Sequence, residues 1–93
     1  MSELDLIDLI AQLGLNRVAD YKGDSLQRRL RSGQLLEVVS AEGGIDVSAP
    51  HEVNEKIIAV VWDGYSMTTQ ITGCTLQTLA AELCSRGYTE FRR

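Results

Sequence analysis

The chain is poor in the residues that carry most protein chemistry. It has one histidine, two cysteines and one proline, and aromatic residues make up only 5 % of its 93 positions. Each shortage removes a class of function. With His51 as the single imidazole, neither a histidine-rich metal set nor a Ser-His-Asp relay can be assembled on any spacing argument. The segment His51-Glu52-Val53-Asn54-Glu55 shares the first two residues of the zinc-protease pattern H-E-x-x-H. Glu55 stands where the second histidine belongs, however, and Pro50 leaves little room for the helix that would bring both ligands to one face. We read it as a polar loop. Gly43-Gly44 and Gly64 do not form a phosphate-cradling pattern and read as turn residues.

The two cysteines, Cys74 and Cys84, flank or lie within the last apolar-periodic segment. Along a helix they would sit about 15 Å apart, at ~1.5 Å per residue. A disulfide needs Cα atoms within roughly 7 Å, so they should stay unpaired, as thiols do in a reducing cytoplasm. Cys74, beside a helix N-terminus, is the one candidate for a reactive thiol. With only His51 available as a base, a small half-buried hydrophobe is the better reading.

Long hydrophobic runs are also missing. The longest, Ile57 to Trp62, falls far short of the ~20 residues that span a bilayer. Met1-Ser2-Glu3-Leu4-Asp5 lacks the basic start of a signal peptide. The expectation is a cytoplasmic protein with no membrane association. Nine basic against thirteen acidic side chains give a net charge of −4. That balance disfavours whole-surface attraction to nucleic acid, and is too mild for a mimic of the DNA backbone.

What is present is a globular composition, 44 % hydrophobic, at the size of one domain spanning residues 1–93. Such a chain buries only roughly 60–65 % of its unfolded surface, so its core is thin. Residues 3–13 read as a helix capped by Ser2 and stopped by Gly14. Asp5, Asp8 and Gln12 form one narrow polar stripe. Leu4, Leu6, Ile7, Leu9, Ile10, Ala11 and Leu13 cover the rest, a wider apolar arc than a one-sided helix needs. A second copy of the chain would cover the excess, which predicts a homodimer.

Asn16 to Tyr21 reads as a short helix broken by Lys22-Gly23. Asp24 and Gln27 then make a capping-box-like start for a helix over 25–32, with Gly33 as its stop. Its apolar stripe is Leu26 and Leu30, which leaves Arg28, Arg29 and Arg31 exposed. Leu35 to Ser40 predicts a strand, Glu42-Gly43-Gly44 a turn, and Ile45 to Ser48 a short strand before Pro50.

The clearest local signal is a hairpin over 56–71, in which Asp63-Gly64 joins two β-rich runs. Placing the turn there sets Trp62 opposite Tyr65, Val60 opposite Met67 and Ile58 opposite Thr69. The core face would then hold Ile58, Val60, Trp62, Tyr65 and Met67. Ile57, Ala59 and Val61 would face the other way, with Ser66, Thr68 and Gln70. Thr75 can cap a final helix over 76–86, burying Leu76, Leu79, Ala80, Leu83 and Cys84 and stopped by Gly87. Tyr88 to Phe91 would add a short strand before the basic pair Arg92-Arg93. The fold class is α+β: N-terminal helices, antiparallel hairpins and a C-terminal amphipathic helix packed on the sheet.

With no catalytic set and no cofactor motif, the function expected is binding rather than enzymatic catalysis. The one concentration of positive charge supplies the candidate site: Lys22, Gln27, Arg28, Arg29 and Arg31, with Arg17 nearby. The first reading is a protein-interaction module, an inhibitor or adaptor that occupies a partner protein's surface. That role is compatible with a phage or other mobile-element product. The alternative is a DNA-binding regulator. Residues 16–32 would form a degenerate helix-turn-helix, with Gln27, Arg28 and Arg31 in a major groove and residues 35–48 as a β wing. Against it, Lys22, Asp24 and Arg29 fall at positions that should pack between the two helices.

Overall fold

The computed structural model describes residues 6–20, 23–40, 45, 57–72 and 76–92. Several expectations lie outside those residues: the Ser2 and Thr75 caps, Lys22, the 42–44 turn, residues 46–48, the His51 segment and Cys74. The first helix, α1 (Leu6–Leu13), buries Leu6, Leu9 and Leu13. Gly14 ends it at φ +64°, and the Leu15 N–H donates to the Ile10 carbonyl at 3.0 Å, which closes a Schellman cap. The wide apolar arc is only partly used. Ile7 is 63 % exposed, and Ile10 packs against the core while partly open.

Residues 16–20 and 23–32 are not helical. They form two strands, β1 (Asn16–Asp20) and β2 (Gly23–Arg29), paired antiparallel from Asn16 opposite Gln27 to Asp20 opposite Gly23. The helix-turn-helix therefore does not form. The reason lies in the spacing of Leu26 and Leu30, which share a face in a helix (i, i+4) and equally in a strand (even separation). A helix of eight residues with two apolar contacts is marginal by itself. As a strand, the same leucines reach 0 % and 3 % exposure, and β2 gains a neighbour on each side.

The sheet continues with β3 (Leu35–Ser40), β4 (Ile57–Asp63) and β5 (Ser66–Thr72). Its five strands lie in the order β1-β2-β3-β4-β5, each antiparallel to the next. Ile45 bridges Asp24 through two backbone hydrogen bonds of 2.8 Å. The strand expected at 88–91 is reduced to one bridge, Leu30 with Phe91. Bonds from Arg31 N–H to Glu90 O and from Arg92 N–H to Arg29 O extend it.

The β4–β5 hairpin forms with its register displaced from the expected one. Asp63 pairs with Ser66, so the two turn residues are Gly64 and Tyr65. Gly64 has φ +63° and Tyr65 has no positive φ, the pattern of a type II′ turn. Trp62 then lies opposite Met67 but Val61 opposite Thr69, leaving Thr68 as a bulge whose Oγ1 donates to the Val61 carbonyl at 3.1 Å. The bulge brings Ile71 opposite Ala59, and with it onto their common face.

That face, not the expected one, packs against the helices; of the expected set only Val60 is buried, at 4 % exposure. Ile57, Ala59, Val61 and Ile71 join Leu26, Leu36 and Val38 against the helices. Tyr65 is fully exposed and Met67 53 % exposed. The apolar run of β4 has no polar alternation to choose between its faces, so a one-residue change of register exchanges them at no local cost. The second helix, α2 (Leu76–Ser85), buries Leu76, Leu79, Ala80 and Leu83 as its periodicity predicts. Cys84 is exposed instead of buried. Gly87 N–H to Cys84 O and Tyr88 N–H to Leu83 O complete a second Schellman cap. This helix packs on β4 and β5 and touches α1. The α+β arrangement is thus one layer of two helices on one face of an antiparallel sheet.

Candidate interaction surface

Directly paired residues of neighbouring strands point to the same side, so the register reads out the face turned away from the helices. It carries three rows. One runs Arg29, Leu35, Trp62, Met67; a second Asn16, Gln27, Glu37, Val60, Gln70; a third is in two pieces, Val18 with Ser25, and Val39 with Ile58 and Thr72. Among the described residues no helix covers these rows.

The middle of this face is polar and tightly knit. The Glu37 carboxylate accepts from the Ser25 hydroxyl at 2.6 Å, from Gln27 Nε2 at 3.1 Å and from Trp62 Nε1 at 3.1 Å. Gln27 Nε2 also donates to Ser25 Oγ at 3.1 Å. Ser25 is 6 % exposed, so its hydroxyl needs this acceptor. The bond from Nε1 orients the indole of Trp62, whose ring is half-buried. Apolar side chains surround the knot: Val60 is buried, Leu35, Val39 and Ile58 are half-buried, Met67 is 53 % exposed and Val18 is 42 % exposed.

Strand alternation scatters the basic cluster expected at 22–31. Gln27 and Arg29 lie on the helix-free face. Arg29 is exposed, and its Nη1 donates to the Gly33 carbonyl at 2.8 Å. Among the described residues no carboxylate pairs with it. Arg31 is exposed in the turn before β3. Arg28 is on the opposite face, between Leu26 and Leu30, and is a structural residue. Its Nη1 donates to the Leu13 carbonyl at the end of α1 at 2.6 Å, and its guanidinium lies 4.2 Å from the centre of the Phe91 ring. It passes so close to Gly14 that a Cβ there would overlap it. A cation at the C-terminal end of a helix is favoured by the helix dipole and by the unpaired carbonyls there. Arg17, on β1, pairs with Asp24.

Sequence reasoning misses Glu37, Trp62 and Met67 as surface residues because the local pattern assigns the face of Trp62 and Met67 to the core. Among the described residues no three His, Cys, Asp or Glu side chains are grouped to hold a metal ion, and no helix is long and apolar enough to cross a membrane. Comparison with known protein families, curated proteins and solved structures returns no match. The surface itself is therefore the ground for a functional reading.

Proposed function

We propose that this chain is a non-enzymatic protein-binding module, an inhibitor or adaptor, that meets its partner with the helix-free face of its sheet. The observation that carries the reading is the row Arg29–Leu35–Trp62–Met67. Trp, Met and Arg are the residue types enriched in protein interfaces, and Trp and Arg supply most binding hot spots. Here they stand in one row with Leu35 on paired strands, whose backbone is already ordered before binding. The Glu37 knot fixes the indole beforehand. The partner that fits is a protein presenting an apolar side chain to Trp62 and Met67, with a carboxylate beside it for Arg29. Gln27 supports the platform from within, and Arg31 lies in the turn next to it.

The test is affinity capture from the native host with four forms of the chain: unmodified, Met67→Glu, Arg29→Glu and, on the exposed side of α1, Ile7→Glu. A protein held by the unmodified chain and by Ile7→Glu but released by both sheet-face variants supports the reading. Undiminished capture by Met67→Glu and Arg29→Glu places the partner elsewhere and refutes it.

A further inference from the structure

An antiparallel sheet of five strands has two edges, and the two edges of this one differ in kind. β1 is five residues long and carries Arg17 and Asp20, with Arg17 in an ion pair. Charges along an edge are a common defence against strand addition. β5 is seven residues long, Ser66-Met67-Thr68-Thr69-Gln70-Ile71-Thr72, without a charge, a proline or a glycine. Among the described residues β4 is its only neighbour in the sheet. Three of its residues are threonine and one isoleucine, types that favour extended structure. Only the bulge at Thr68 blunts it, and that lies toward the turn, leaving Thr69–Thr72 in regular pairing with β4.

We propose that β5 is a dimerisation edge: two copies of the chain pair β5 with β5 antiparallel about a two-fold axis, joining their sheets into one. A second copy is the occupant that this edge favours. An uncharged strand meets itself without like-charge repulsion in any register. Opposed residues in an antiparallel pair must share a face, and a register centred on Gln70 meets that condition with the most pairs. Centred on Gln70, Gln70 meets its own copy and Thr69 meets Ile71, both pairs matched in face. Centred on Thr69, Met67 from the helix-free side would oppose Ile71 from the core side. The two-fold axis then runs perpendicular to the sheet. Both pairs of helices lie on one side, and the two helix-free faces merge on the other. This inference stands on the edge alone and does not depend on what the helix-free face binds.

Sedimentation velocity of the full chain from micromolar to millimolar concentration should show a monomer–dimer equilibrium. Gln70 is exposed, so replacing it leaves the core intact. Gln70→Lys and Gln70→Glu should each weaken the dimer by about tenfold or more, since like charges then face each other across the axis. An equimolar mixture of the two variants should recover it, because the introduced ammonium of one copy would meet the introduced carboxylate of the other. Hydrogen exchange of the unmodified chain gives a reading free of variants. Amides of Thr68–Thr72 should slow as concentration rises, and those of β1 should not. A monomer at every concentration, a dimer indifferent to both charges, or β5 exchange independent of concentration would each overturn the proposal.

Discussion

Replacing Arg28 by alanine should destabilise the protein by about 2–3 kcal/mol, although a sequence reading places this residue on the solvated face of a helix. Three losses contribute. The hydrogen bond to the Leu13 carbonyl, 2.6 Å long and part-buried, is charge-assisted, a class worth roughly 1.5–3 kcal/mol. The guanidinium over Phe91 at 4.2 Å adds about 0.5–2 kcal/mol. The aliphatic stem between Leu26 and Leu30 leaves a gap on truncation. These terms share one side chain and do not add in full, which brings the total to the lower figure. For a domain of this size that is a fall in melting temperature of about 10–20 °C. Urea denaturation followed by circular dichroism measures it. Arg28→Lys should recover part of the loss, keeping charge and stem but not the planar stack. A cycle with Phe91→Leu isolates the ring contact. As a comparison, Arg29→Ala and Arg31→Ala should stay within about 0.5 kcal/mol, the usual range for exposed positions. An Arg28→Ala cost below about 0.5 kcal/mol, indistinguishable from those two, would refute the bridging role.

Two further outcomes follow from burial and from the polar knot. Leu83 is 0 % exposed in the last turn of α2, so Leu83→Ala should cost roughly 2–5 kcal/mol in the same denaturation assay, and a smaller change would mean the helix packs through another side. Glu37→Ala should cost roughly 1–3 kcal/mol, because Ser25 loses its buried acceptor, and should alter the emission of the protein's one tryptophan as its Nε1 partner disappears; unchanged fluorescence would show that the indole is held by packing alone.

Both helices are legible in the sequence, and for the same reason. Each ends on a glycine that the chain needs at positive φ, Gly14 and Gly87. Each has leucines at helical spacing that are found buried, Leu6, Leu9 and Leu13 in one and Leu76, Leu79 and Leu83 in the other. Strand β3, the presence of two paired strands over 57–72 and the α+β class are legible on equally local grounds, but the turn, register and buried face of that hairpin are not. The candidate site is less so. Of the candidate site residues, Arg29 and Gln27 do lie on the helix-free face, but Arg28 turns inward, and the local pattern assigns Trp62 and Met67 to the core.

The sequence by itself determined where the two helices stop and which segments are apolar enough to be buried, because caps depend on a few adjacent residues. The tertiary structure alone decided three things. It made residues 23–29 a strand, since Leu26 and Leu30 suit either period and only pairing with β1 and β3 breaks the tie. It chose the side of β4 that meets the helices, since Ile57 to Trp62 is apolar on both, and one bulged residue, Thr68, brought Ile71 inward to complete that side. It also gave Arg28 its place, since a charge can sit among leucines only when a helix end and an aromatic ring arrive from elsewhere in the chain to receive it. In each case the deciding partner lies on another element of the fold, beyond the reach of any local pattern.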